Sequence, residues 1–105
     1  MDVQILPMQA ADVPQVAELE KACFSDPWPE SVLSNELENE LSLWLVAKDK
    51  DTVLGYIGSQ SVLDEADMMN IAVRKDARRQ GIAKKLILAL CARLADKGVR
   101  SLTLE

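Results

Sequence analysis

The sequence predicts a mixed α/β (α+β) fold, a central sheet flanked by helices, on three observations. Strand-like and helix-like stretches interleave along the whole chain. Two β-rich runs, 43–48 and 52–63, meet at the polar turn Asp49-Lys50-Asp51 as a hairpin. A third apolar run, 66–73, leads through a basic glycine turn into a helix and then a last strand, a βαβ unit whose crossover makes its two strands parallel neighbours.

The elements follow in order. Val3 to Pro7 reads as a short first strand. Asp12 offers an N-cap with Gln15 three residues on and Pro14 in the first turn, and Val13, Val16, Ala17, Leu19 and Cys23 form the apolar stripe of a first helix. Phe24-Ser25-Asp26-Pro27-Trp28-Pro29 ends it, because proline cannot continue a helix interior, and Pro29 is suited to opening a second helix over 30–39. That helix carries Val32, Leu33 and Leu37 on one side. Trp28 fits packing at this junction better than a substrate contact. In the 52–63 strand, Gly55 and Gly58 mark a bulge or a close backbone approach. From Ile82, residues Ala83, Leu86, Ile87, Leu90, Cys91 and Leu94 recur at helical spacing, Lys97-Gly98 supplies the C-terminal stop, and Val99 to Leu104 is the last strand. With 105 residues, 49% of them hydrophobic, the chain reads as one globular domain without repeats or linkers.

Charge and composition exclude several functions. A net charge of −5 argues against a general nucleic-acid binder, which needs a basic face to displace counterions. The cations at 74–85 therefore form a local feature, a pocket for one anionic ligand or else a solvated loop. Cys23 and Cys91 are distant and lack a CxxC spacing, and with no His in the chain neither a zinc site nor a disulfide framework is indicated; both read as buried thiols. Without a leader-like segment or a long apolar run, the expected setting is cytoplasmic, away from any membrane. Acid–base chemistry must come from carboxylates, Tyr56, Lys, Cys or water.

Arg78-Arg79-Gln80-Gly81-Ile82-Ala83-Lys84-Lys85 places a cationic, glycine-centred turn at the head of a helix. The first amides of a helix have no partner within it, and its dipole favours an anion there. Gly81 and Ala83 leave room for a ligand to approach. The turn lacks the Gly-Lys-Ser/Thr ending of a nucleotide hydrolase and the Gly-x-Gly-x-x-Gly of a dinucleotide fold.

Residues 78–83 fit the Gln/Arg-x-x-Gly-x-Gly/Ala signature, and with the preceding strand Asn70-Ile71-Ala72-Val73 the chain resembles the GNAT superfamily of N-acetyltransferases. Phe24 to Pro29, Val62 to Ala66 and Leu102-Thr103-Leu104-Glu105 are similar to the ribosomal-protein-alanine N-acetyltransferases of that superfamily. The resemblance implies a mixed GNAT-like sheet, acetyl-CoA as donor, no metal, and a protein N-terminal amine, such as a ribosomal-protein alanine, as acceptor. It places the pyrophosphate on Arg79, Gln80, Gly81, Ile82, Ala83 and Lys84 and the pantetheine along Ile71, Ala72 and Val73. Arg78 is expected to position the loop rather than touch ligand.

Attack on a thioester needs a neutral amine, and an α-amine with pKa near 8 is only about a tenth neutral at pH 7. Glu105 matches the position of a general-base glutamate in these enzymes, whereas in isolation a terminal Glu is usually just solvated. A backbone N–H on the Ile71 to Val73 strand is the candidate stabiliser of the tetrahedral intermediate, and Cys91, placed on the apolar stripe, fits direct transfer without an acetyl-enzyme. Family members continue past this glutamate with an Arg-x-Ser-Asn segment, a helix carrying a Leu-Tyr pair and a final hairpin. Relative to them the 1–105 domain reads as C-terminally truncated, without the family's last strands or its tyrosine acid. The alternative reading is a non-catalytic CoA-binding or dimerisation fragment that self-associates through the exposed last strand.

Overall fold

Residues 3–103 are described by the computed structural model. Five strands form one sheet in the order β1-β2-β3-β4-β5: β1 Gln4–Pro7, β2 Ser42–Asp49, β3 Thr52–Val62, β4 Glu65–Val73 and β5 Ser101–Thr103. The first four are antiparallel, and β5 joins β4 in parallel after the helical crossover, as the βαβ pattern requires. Helices α1 (Val13–Cys23) and α2 (Glu30–Glu36) cover one face, and α3 (Ile82–Asp96) covers the other.

The alternation of side chains along β2 explains why its sequence is apolar throughout. Trp44 and Val46 enter the core under α1 and α2, while Leu45 and Ala47 enter the core under α3. Both glycines expected to mark close approach in β3 do so. A Cβ on Gly58 would lie 2.5 Å from the Trp44 ring, and one on Gly55 would lie 2.9 Å from the Ala72 carbonyl oxygen. The β3–β4 register also shifts between Gly58 and Ser59, which is the bulge.

Several expectations require correction. Asp12 does not cap α1 through its side chain; it ends a short 3-10 turn, is buried, and accepts from the Gln9 amide (2.9 Å) and Lys48 Nζ (2.8 Å). Gln15 likewise reaches the hairpin instead, donating to the Asp51 carbonyl and accepting from the Val53 amide, both at 2.9 Å. The second helix ends at Glu36 rather than 39, and of its three apolar residues only Leu33 is buried; Val32 and Leu37 are exposed. Cys91 is exposed because the inward positions of α3 are Ile82, Leu86, Leu90 and Leu94, a strict four-residue repeat that leaves Cys91 one position off the stripe. Cys23 is half-buried rather than buried.

Candidate functional site

The crossover from β4 to α3 builds the site. Val73 ends the strand, Arg74 donates its amide to the Leu54 carbonyl at 2.7 Å, and a 3-10 turn at Lys75–Ala77 carries the chain to the basic segment. Ala77 is buried under α3 and anchors this passage. Arg79 (φ 67°) and Gly81 (φ 76°) both adopt the left-handed conformation. For a non-glycine residue that costs on the order of 1–3 kcal/mol, so at Arg79 the surroundings impose the conformation.

Gly81 is the N-cap of α3 and provides no side-chain cap. The first intrahelical bond runs from the Lys85 amide to the Gly81 carbonyl at 3.0 Å. The amides of Ile82, Ala83 and Lys84 precede that bond, so the helix cannot satisfy them itself. Added Cβ atoms would meet nothing within 4 Å at Gly81, so its glycine serves the backbone angle and an open surface.

Beside this helix start lies a cleft of about 370 Å³. Ile71, Ala72 and Val73 of β4 and Ala83 of α3 form one wall, and Cys23, Phe24 and Arg78 complete it. Among the described residues, β5 pairs only with Glu65 to Asp67, so the Ile71–Val73 edge of β4 on that side has no strand against it. A linear ligand bearing amides could pair with such an edge. Arg78 is committed locally, its Nε donating to the Val73 carbonyl at 3.1 Å and its NH2 group to Cys23 Sγ at 3.6 Å. These bonds tie the loop to β4 and α1, and Arg78 also lines the cleft itself.

Of the residues singled out in the sequence, Ile71, Ala72, Val73 and Ala83 come together in the cleft, while Arg79, Gln80, Gly81 and Lys84 lie exposed at the head of α3. Ile82 is 2% exposed and points into the core, so it can offer a ligand only its amide. Leu104 and Glu105 lie outside the described residues. Sequence reasoning missed Cys23 and Phe24 as cleft residues; their only signal was the Pro-Trp-Pro break that follows them. A larger hollow of about 920 Å³ opens between α1 and Arg74–Asp76. Arg74 there is paired with Asp76 at 2.9 Å.

Comparison with known proteins covers nearly the whole chain. The model of the Acetyltransferase (GNAT) family matches residues 13–105. The [ribosomal protein bS18]-alanine N-acetyltransferase of Escherichia coli (strain K12) is 34% identical over 99 residues, 93% of this chain and 66% of that protein. The enzyme of the same name from Haemophilus ducreyi is 34% identical over 94 residues, 90% of this chain and 64% of that protein. The chain thus spans about two-thirds of the length of these curated relatives. The crystal structure of the Escherichia coli ribosomal-protein-S18-alanine N-acetyltransferase superposes with a TM-score of 0.87 at 29% identity, covering 98% of this chain and 66% of that one.

Proposed function

The chain belongs to the Acetyltransferase (GNAT) family, and from that membership we propose that it carries the acetyl group of acetyl-CoA to the N-terminal α-amine of a protein, with a ribosomal-protein alanine as the favoured acceptor. The acceptor class rests on the curated relatives, which are named for ribosomal protein bS18. The observation that carries the donor assignment is the uncapped head of α3 beside the open edge of β4.

In this reading the diphosphate of acetyl-CoA takes the amides of Ile82, Ala83 and Lys84, with Arg79, Gln80 and Gly81 shaping the turn and the cations balancing charge. The pantetheine lies along Ile71, Ala72 and Val73. Because the Val73 carbonyl already accepts from Arg78, the arm's amides pair with the other outward groups of that edge. Glu105, which follows β5 in sequence, is the base that takes the ammonium proton directly or through water. An amide on β4 supports the oxyanion, and transfer is direct: the amine nitrogen bonds the acetyl carbon, the C–S bond breaks, and coenzyme A leaves as a thiolate that takes up the amine's second proton through water. The proposed setting is the cytoplasm.

Incubation with acetyl-CoA and a peptide matching the bS18 N-terminus tests this by mass spectrometry. One acetyl group on the α-amine is expected, with none on the same peptide carrying a blocked N-terminus. Acetylation of lysine side chains alone would reject the acceptor assignment. Glu105→Gln is expected to lower kcat/KM about a hundredfold near pH 7, in the range of general-base effects; an unchanged rate from pH 6 to 9 would remove Glu105 from the mechanism.

A further inference from the structure

One buried carboxylate is used by none of the chemistry above. Glu20, in the last turn of α1, is 0% exposed and, among the described residues, forms no ion pair. Its Oε1 accepts from Tyr56 Oη of β3 at 2.5 Å and from Asn70 Nδ2 of β4 at 2.6 Å, and its Oε2 accepts from the Trp28 amide at 3.2 Å. All three neighbours donate, so the carboxylate is held by hydrogen bonds where a lone buried charge would be strongly disfavoured.

The elements joined in this way are the two sides of the cleft. Asn70 directly precedes Ile71 to Val73 on β4, at the β3–β4 bulge. Trp28 belongs to the irregular segment that begins at Phe24, which lines the cleft opposite that strand. Pro27 and Pro29 have no N–H, so the Trp28 amide is the only backbone donor in its tripeptide, and Glu20 receives it. The Trp28 ring is otherwise held by the Trp44 ring, with centroids 5.5 Å apart.

We propose that Glu20 is a positioning residue that fixes the Phe24–Pro29 segment to β4 through Asn70, setting the spacing between β4, which carries the cofactor in the reading above, and the Phe24 side of the cleft, which is what the cofactor leaves to the acceptor. This rests on the acetyltransferase reading for what the two walls hold. The local anchoring does not depend on it. A neutral amide at position 20 places an N–H among donors and releases the Trp28 amide.

Glu20→Gln in the full chain tests the proposal with two readouts. Hydrogen exchange at the Trp28 amide is expected to speed up about tenfold, the loss of one charge-assisted bond, while amides in the body of α3 keep their protection. In steady state, KM for the acceptor peptide should rise about tenfold with KM for acetyl-CoA changed less than about threefold. Unchanged exchange at Trp28, or equal losses for both substrates, overturns the proposal. If the unmodified protein acetylates no peptide, the functional reading fails, and exchange at Trp28 still decides the anchoring. Should Glu20→Gln unfold the chain, Tyr56→Phe leaves the carboxylate two of its three donors and is expected to raise Trp28 exchange by about threefold; no change there overturns the proposal equally.

Discussion

Tyr56 shows how much one residue can fix. It is fully buried, its ring stacks on Trp44 with centroids 6.0 Å apart, and its hydroxyl donates to Glu20. Burial first, then the hydrogen bond and the negative charge of Glu20, push its pKa well above the usual tyrosine value. The folded chain therefore keeps a proton that the unfolded chain releases above about pH 10. The unfolded state binds fewer protons there, so stability is full below that pH and falls as pH rises, by about 1.4 kcal/mol per unit for this one group. Tyr56 is the chain's only tyrosine. Tyrosinate absorbance should thus appear only as the protein unfolds, and denaturation series from pH 9 to 12 should show a shallower slope in Tyr56→Phe. Tyrosinate appearing in the folded chain near pH 10 would refute this. Gly58 acts by absence: Gly58→Ala puts a methyl 2.5 Å from the Trp44 ring and is expected to cost about 1–3 kcal/mol in urea denaturation, as overpacking does.

At the scale of elements, α3 was the most legible. Its repeat, its glycine start and its end at Asp96 before left-handed Gly98 all follow from local chemistry. The misplacement of Cys91 has a physical reason. Helical spacing admits both Leu90 and Cys91 to a broad apolar stripe, and only the distance to the sheet decides between them. Leu90→Ala is accordingly expected to cost about 2–5 kcal/mol in thermal or urea unfolding, and Cys91→Ser less than about 0.5 kcal/mol; comparable losses would contradict the assigned face. The start of α1 was less legible because Asp12 and Gln15 look like capping residues, yet each finds a better partner across the fold in Lys48 or the β2–β3 turn. Tertiary partners of that kind leave no trace in local spacing. The same holds for Glu20, which reads in sequence as one more polar position on a surface helix.

At the scale of the whole molecule, the fold sets two unlike surfaces side by side. The crossover delivers an uncapped helix start to the end of β4, and β5 covers only the first part of that strand's free side among the described residues. The signature turn revealed the first feature, since its glycine and cations are local. The second depends on where β5 stops pairing, which no motif encodes. The cleft wall formed by Cys23 and Phe24 arises from the packing of α1 against the sheet, so composition could not reveal it. The proposed function requires that the head of α3 and the β4 edge together hold coenzyme A. Calorimetric titration of coenzyme A into this chain and into Gly81→Val tests that most directly. A single site is expected in the unmodified chain, with binding at least about tenfold weaker in the variant, whose β-branched side chain is strained at φ 76°. No binding to the unmodified chain, or equal binding to a folded variant, would contradict it.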